Sequence, residues 1–449
     1  MTRTMRSGHL QPRVPFAPEQ ASRHPVSVSS HSAPCGVRSP RKPPGSPAVT
    51  DQVHMSKRLH ELHAAGQSLW LDYIDRAMLS NGDLARRIRE DALTGMTSNP
   101  TIFEKALAEG DAYDAQLAEL PPGMPVRTAF ETIAATDVRH ACDAFGAVYA
   151  SSNAVDGYVS LEVSPDLARD TAGTVAEAKR LWLLVDRPNL MIKVPGTVEG
   201  ADAVRQLIAA GLNVNITLLF AIEAHARVIE AYITGLEERA RAGLSLDRIA
   251  SVASFFVSRV DSAIDKQLDA MASSAPDSNA KHELEELRGR AAIANAKLAY
   301  RLFQTSFSGT RWDALAALGA HVQRPLWAST STKNPAYRDV RYVEELIGPN
   351  TVNTLPPATL DAFSDHGETR VSVTTALDVA EQTLTALESH GVSMRAVTDA
   401  LLVDGLASFE KSLVTLLAGL DRKRVALAAG SRTASLPASA SGATAVASH

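Results

Sequence analysis

The chain has 449 residues and a formal net charge of −5, with 45% hydrophobic and 21% charged residues. Such a balance fits a soluble globular protein, and the mild negative charge gives no electrostatic reason to expect a nucleic-acid or membrane partner. No apolar run is long enough to cross a bilayer. Cys35 and Cys142 are too few for a disulfide framework and have no metal-ligand spacing, which points to a reducing, cytoplasmic setting.

Residues 1–54 are rich in Pro, Ser and Arg, and Glu19 is the one acid before Asp51. No apolar periodicity runs through them, so disorder is expected. The acid-poor composition resembles a transit peptide. A start assigned too early fits equally, because Met55 opens the first helical pattern, 56–66. Within that pattern His60-Glu-Leu-His63 is one residue short of a zinc-binding helix spacing, so it reads as helix surface and no metal site is expected.

A series of short apolar runs follows, most with a polar residue near the C-terminal end. Ser68-Leu-Trp-Leu-Asp72 ends in a carboxylate, and Ala92-Leu-Thr-Gly-Met-Thr-Ser-Asn-Pro100 carries Asn99. Tyr158-Val-Ser-Leu-Glu162 places Ser160 and Glu162 on one face. Asn189-Leu-Met-Ile-Lys-Val-Pro-Gly-Thr197 reads as a buried strand with Lys193 near its end. Leu212-Asn-Val-Asn-Ile-Thr-Leu-Leu-Phe220 puts Asn213, Asn215 and Thr217 on one face, since strand side chains alternate. Ile249-Ala-Ser-Val-Ala-Ser254 runs on to Arg259, and Pro325-Leu-Trp-Ala-Ser329 runs on to Lys333. Val352-Asn-Thr-Leu355 is a candidate eighth strand, weakened by Pro356 and Pro357 directly after it.

Helical periodicity fills the intervals 171–184, 200–210, 221–242 and 257–272. Further helices are expected at 279–307 and 376–420, the second packing on the domain as a C-terminal element. An Ala/Ser-rich tail, 430–449, reads as disordered. Strands alternating with helices predict parallel βαβ units, and eight of them make a (β/α)₈ barrel spanning 55–429 with added helices. The alternative, a doubly wound open sheet, lacks its Gly-x-Gly-x-x-Gly signature after the first strand.

In a (β/α)₈ barrel the chemistry lies at the C-terminal strand ends, where the polar residues above fall. Lys193 carries most of the inference. A buried ammonium must be paired or lose its proton, and the neutral amine is the nucleophile of Schiff-base chemistry. Each residue also has a structural reading. Glu162 could serve as a salt-bridge partner of Lys193, Asp72 as a helix cap, Asn99 as a turn residue, Ser254 as filler and Arg259 as helix surface.

Seven stretches in order carry a family resemblance: Leu69-Trp-Leu-Asp72, Gly95-Met-Thr-Ser-Asn-Pro-Thr-Ile-Phe103, Val159-Ser-Leu-Glu-Val163, Asn189 to Thr197, Asn213 to Phe220, Ala253-Ser-Phe-Phe-Val-Ser-Arg259 and Trp327-Ala-Ser-Thr-Ser-Thr-Lys-Asn-Pro335. Over about residues 57–420 the chain resembles the transaldolases, in the branch of actinobacteria and related bacteria. The resemblance implies transfer of a dihydroxyacetone unit between sugar phosphates in the non-oxidative pentose phosphate pathway, by a monomer or homodimer without cofactor. It implies Lys193 as the Schiff-base lysine and Asp72 as the acid/base at the C4 hydroxyl. Glu162 and Thr217 would hold a proton-shuttling water, and Asn99 and Asn215 the substrate hydroxyls. Ser254 and Arg259 would address the phosphate. The better-known members carry Ala-Ser-Phe-Arg-Asn after a late strand. This chain has Ala328-Ser-Thr-Ser-Thr-Lys-Asn334, two residues longer, which makes Ser329 and Lys333 the candidates there. Lysine offers phosphate a point charge where arginine offers a fork. A fructose 6-phosphate aldolase, a metal-dependent aldolase and a non-catalytic binding barrel are the other readings.

Overall fold

The computed structural model describes residues 49–430, apart from residue 109. Eight parallel strands close into a barrel in chain order: β1 (Gln67–Asp72), β2 (Leu93–Thr97), β3 (Tyr158–Glu162), β4 (Leu190–Pro195), β5 (Val214–Leu219), β6 (Ser251–Phe256), β7 (Gln323–Ala328) and β8 (Thr351–Leu355). This is the (β/α)₈ architecture expected from the sequence. The eighth strand forms despite the two prolines, because Pro356 and Pro357 fall at the start of helix Pro357–His366, where the missing N–H groups cost no intrahelical bond.

Register sets the height of each side chain. Glu162 of β3 is level with Lys193 of β4, Lys193 with Asn215 of β5, and Pro195 with Thr217. Asp72 of β1 is level with Thr97 of β2. Beneath this layer Trp70 fills the barrel, and Gly95 on the next strand makes room for it: a Cβ there would lie 2.5 Å from the indole ring. At the N-terminal end Arg324 of β7 donates to Ser68 Oγ at 2.7 Å and Val155 O at 2.7 Å, and pairs with Asp156 at 3.3 Å. Asp156 also accepts from Trp70 Nε1 at 2.8 Å and from Ser68 Oγ. Both charges of this buried pair are hydrogen-bonded, as a charge in a low-dielectric site requires.

Several boundaries differ from the sequence reading. The first helix is Val49–Ala64, so it starts six residues before Met55; once a helical nucleus exists, each added residue gains a backbone bond. Residues 1–48 and 431–449, where disorder was expected, lie outside the described residues. The expected helix 279–307 is two, Ser278–Glu286 and Ala291–Ser306, broken around Gly289 at φ +66°. Likewise 376–420 divides at Gly391 into Leu377–Ser389 and Met394–Ala428. The 19-residue helix Val126–Ala144 was not anticipated. Alanines 129, 134, 135 and 141 make up much of its buried face, so its apolar stripe is shallow in the sequence.

The 35-residue helix Met394–Ala428 crosses the barrel mouth. Thr101 and Ser412 hydrogen-bond at 2.8 Å, Lys423 pairs with Asp114 at 2.7 Å, and Arg424 donates to Met124 O at 2.7 Å. At Gly405 the helix approaches Leu218 so closely that a Cβ would lie 2.9 Å from it. Among the described residues no helix is long and apolar enough to cross a membrane.

His225 is fully buried in helix Ile222–Arg241, and neither ring nitrogen has a hydrogen-bond partner among the described residues. Burial pushes its pKa down to about 4 from 6.5. The unfolded chain therefore binds a proton that the fold refuses, and stability falls as pH drops from 6.5 toward 4, by on the order of 3 kcal/mol. His225→Leu should remove this share. Urea unfolding at pH 7 and pH 4.5 should show a smaller acid loss in the variant; equal losses would refute the assignment.

Candidate active site

The C-terminal strand ends and the crossing helix border a cavity of about 170 Å³, lined by Asp72, Asn99, Lys193, Thr217, Ser254, Arg259, Ser329, Lys333 and Phe409. Lys193 is 5% exposed. Its ammonium lies 3.4 Å from Glu162 Oε2, donates to Ser98 O at 3.2 Å, and sits 5.9 Å from the Phe409 ring centre. The partner that a buried lysine requires is therefore Glu162, delivered by the β3–β4 register.

Glu162 is pushed up to about 7, because burial outweighs the opposing Lys193 charge and Asp72 adds repulsion. Among the described residues neither of its oxygens accepts a hydrogen bond of good geometry, and the buried Thr217 Oγ1 also lacks a partner. Buried polar atoms are rarely left so. Thr217 immediately precedes Leu218, whose φ of +59° marks a register irregularity in β5. A left-handed conformation at a leucine costs on the order of 1–3 kcal/mol and is characteristic of functional sites.

Asp72 is raised by burial; Lys193, a hydrogen bond from Thr97 Oγ1 at 2.7 Å, Arg259 and Lys333 act against that rise. Thr97 Oγ1 in turn lies 2.6 Å from Thr354 Oγ1 of β8. Asp75, not Asp72, caps the following helix, accepting from Met78 N. The helix-cap reading of Asp72 thus loses its basis. Asn99 does act as a cap: its Oδ1 accepts from Ile102 N at 3.0 Å at the start of helix Pro100–Ala108. Its amide nitrogen makes no hydrogen bond among the described residues, and the residue lines the cavity.

Asn215 and Ser254 are placed differently from the sequence expectation. Ser254 Oγ donates to Asn215 Oδ1 at 2.6 Å, and Asn215 Nδ2 donates to Ser160 Oγ at 3.0 Å. Asn215 is fully buried, and one amide N–H and its oxygen tie β3, β5 and β6 together. Ser254 borders the cavity with its proton already committed, so in this arrangement it has an acceptor to offer and no donor for a phosphate oxygen.

The cations form a separate group. Arg259, the second residue of helix Ser258–Ser273, lies over the Phe256 ring at 5.3 Å. Lys333 Nζ donates to Ser331 Oγ at 2.7 Å. Neither has an ion-pair partner among the described residues. Burial depresses the pKa of each, and Arg259 depresses Lys333 further by like-charge repulsion. Two cations bordering one cavity, with the single charge of Asp72 acting on both, favour an anion. Ser329, at φ +55°, lies 3.1 Å from Ser258 Oγ and its carbonyl accepts from Ser258 N at 2.9 Å. It fixes the strand-end loop to the helix carrying Arg259.

Thr97, Ser98, Thr354 and Phe409 were not singled out from the sequence. The three hydroxyl residues sit beside strand-end residues that were. Phe409 is an apolar residue at helical spacing, which reads as core, and no sequence signal separates it.

A closed parallel barrel whose ionisable side chains gather at the C-terminal strand ends is the TIM-barrel enzyme plan. The chain belongs to the Transaldolase/Fructose-6-phosphate aldolase family, whose model matches residues 69–420. It is 51% identical over 365 residues to the transaldolase of Thermobifida fusca, covering 81% of this chain and 97% of that one. It is 45% identical over 372 residues to the transaldolase of Trichodesmium erythraeum, covering 82% and 98%. Transaldolase 1 of Streptomyces coelicolor is 47% identical over 376 residues, covering 83% and 97%.

Glu162 should titrate near neutrality. Difference infrared spectroscopy should show a buried carboxylic-acid stretch that disappears as pH rises through about 7 and is missing in Glu162→Gln. A stretch lost by pH 5 would mean that Lys193 holds Glu162 ionised.

Proposed function

We propose that the chain is a transaldolase that moves a dihydroxyacetone unit between sedoheptulose 7-phosphate/glyceraldehyde 3-phosphate and erythrose 4-phosphate/fructose 6-phosphate, through a Schiff base on Lys193. The observation that carries this reading is the buried Lys193 ammonium 3.4 Å from Glu162 in a cavity that also holds Asp72, Arg259 and Lys333. The names of the relatives support the transfer reaction, and the pathway follows from those sugars as the non-oxidative branch of pentose phosphate metabolism.

The chemistry needs an electron sink and two proton carriers. Lys193 attacks the ketose C2 carbonyl as the neutral amine, and loss of water leaves a protonated imine. Asp72 then takes the C4 hydroxyl proton while the C3–C4 bond breaks. The bonding pair moves into the iminium, giving a neutral enamine and a free aldose phosphate. Attack of enamine C3 on the acceptor aldehyde reverses these movements, with Asp72 returning the proton. Hydrolysis of the new imine frees the lysine.

Glu162 suits the steps that add and remove water. A carboxyl titrating near 7 gives and takes protons at neutral pH with equal ease. Its unpartnered oxygens and the Thr217 hydroxyl are of the kind a bridging water satisfies. The Asn99 amide nitrogen suits the substrate hydroxyls, Asn215 acts by holding the layer behind them, and Arg259 and Lys333 suit the terminal phosphate. Simple aldol cleavage is the other activity in the family's description. Turnover of fructose 6-phosphate with and without an aldose phosphate acceptor separates the two.

Borohydride reduction in the presence of fructose 6-phosphate should attach a three-carbon unit to Lys193, read by peptide mapping. Label on another lysine, or label persisting in Lys193→Ala, would sink the proposal. Asp72→Ala should still be trapped yet turn over about 10²–10⁴-fold more slowly; near-normal turnover would leave Asp72 without its role.

Arg259→Ala should raise KM for phosphorylated sugars and reduce the preference for fructose 6-phosphate over fructose, because binding energy from a remote group is lost where that group exists. An equal loss on both donors would make Arg259 structural.

A further inference from the structure

Lys333 stands in the loop that follows β7, and such a loop needs something to hold it. On the far side of Lys333 lies a second cavity of about 290 Å³, also bordered by Asp261, Asp265, Tyr337 and Tyr342. Asp261 and Asp265 are one turn apart on helix Ser258–Ser273, the helix whose first turn carries Arg259. Asp265 Oδ2 accepts from the Tyr337 hydroxyl at 2.7 Å, and its Oδ1 accepts from Gly289 N at 2.9 Å. Asp261 repeats the pattern one turn earlier, accepting from Tyr342 at 2.8 Å and from Ala292 N at 2.8 Å.

Tyr337 is gripped on its faces as well as at its hydroxyl. The Arg341 guanidinium lies 4.9 Å from its ring centre. A Cβ at Gly289 would come within 2.7 Å of its Cζ, so only glycine allows the ring this seat, and Gly289 has φ +66° besides.

We infer that Tyr337, seated on Asp265, is a positioning residue that holds Lys333 opposite Arg259 for the phosphate of the sugar. The inference rests on the proposed sugar-phosphate function. Its physical content is a separation of tasks. A carboxylate in direct contact with Lys333 would fix the loop but neutralise the charge that the phosphate needs. Here both Asp265 oxygens are occupied by uncharged donors, and the phenol spans from acid to loop. The loop is anchored while Lys333 keeps its charge for an anion. Because one helix bears Arg259 and both acids, the two cations are set from a single rigid element.

Tyr337→Phe removes the tie and keeps the ring in its seat. KM for fructose 6-phosphate should rise about tenfold with kcat within about twofold, as for lost uniform binding. Inhibition by inorganic phosphate should weaken in parallel, and the preference for fructose 6-phosphate over fructose should fall about tenfold. Asp265→Asn should give the same pattern, and the double variant should lose less than the two single losses combined, as coupled partners do. Tyr342→Phe, whose tie lies beyond the loop, should leave the phosphate inhibition constant unchanged. Equal losses on both donors, or an unaltered phosphate inhibition constant in a folded Tyr337→Phe, would overturn the inference. Absence of borohydride trapping in the wild type would instead overturn the functional reading beneath it.

Discussion

Everything at the mouth of this barrel depends on how one ammonium group is kept out of water. Lys193 is 5% exposed, and an isolated buried charge is costly enough to be neutralised or paired. The pair supplied is imperfect. Glu162 stands at 3.4 Å, the Ser98 carbonyl takes one hydrogen bond, and the Phe409 ring faces the group from the crossing helix. Burial raises Glu162 to about 7, so the carboxyl is as ready to lose its charge as to balance the lysine's. The pair thus sets beside the ammonium a carboxyl that can change its charge near neutral pH, as the proposed imine chemistry needs.

The opposite end of the barrel shows the contrast. Arg324 and Asp156 are also a buried ion pair, yet Ser68, Trp70 and the Val155 carbonyl complete their hydrogen bonds. At the mouth, Glu162, Thr217, Arg259 and Lys333 are each short of a partner or a counter-ion among the described residues. The same types of side chain serve stability at one end and chemistry at the other. The difference lies in whether their hydrogen-bonding capacity is exhausted.

The barrel was legible because every strand but the last is followed by polar residues that packing alone does not explain. Lys193, Glu162, Asp72, Thr217 and Asn99 could be named from that pattern, and the structure gathers them in one place. Side-chain partners were not legible. Alternation puts Asn215 and Ser254 on the inner face, but the bond between them, which withdraws Asn215 from the cavity, depends on the β5–β6 spacing. Phe409 is hidden for a different reason. It arrives from a helix more than two hundred residues after Lys193, and nothing in a heptad-like apolar pattern says which residue will meet a strand end. The alanine-lined helix Val126–Ala144 was missed because small buried side chains carry little periodic signal.

Two backbone irregularities complete the mouth. Leu218 and Ser329 both have positive φ without being glycine, the first near the end of β5 and the second directly after β7, two strands that supply cavity residues. At Leu218 the strain turns β5 just after Thr217 and sends the leucine against Gly405 of the crossing helix. At Ser329 it turns β7 toward the helix bearing Arg259, where Ser258 accepts the loop through paired hydroxyls and a backbone bond. Regular strands would have carried both segments straight past the cavity. The strain is held by burial on one side and hydrogen bonding on the other, so the geometry of the site is a property of the whole barrel rather than of its loops.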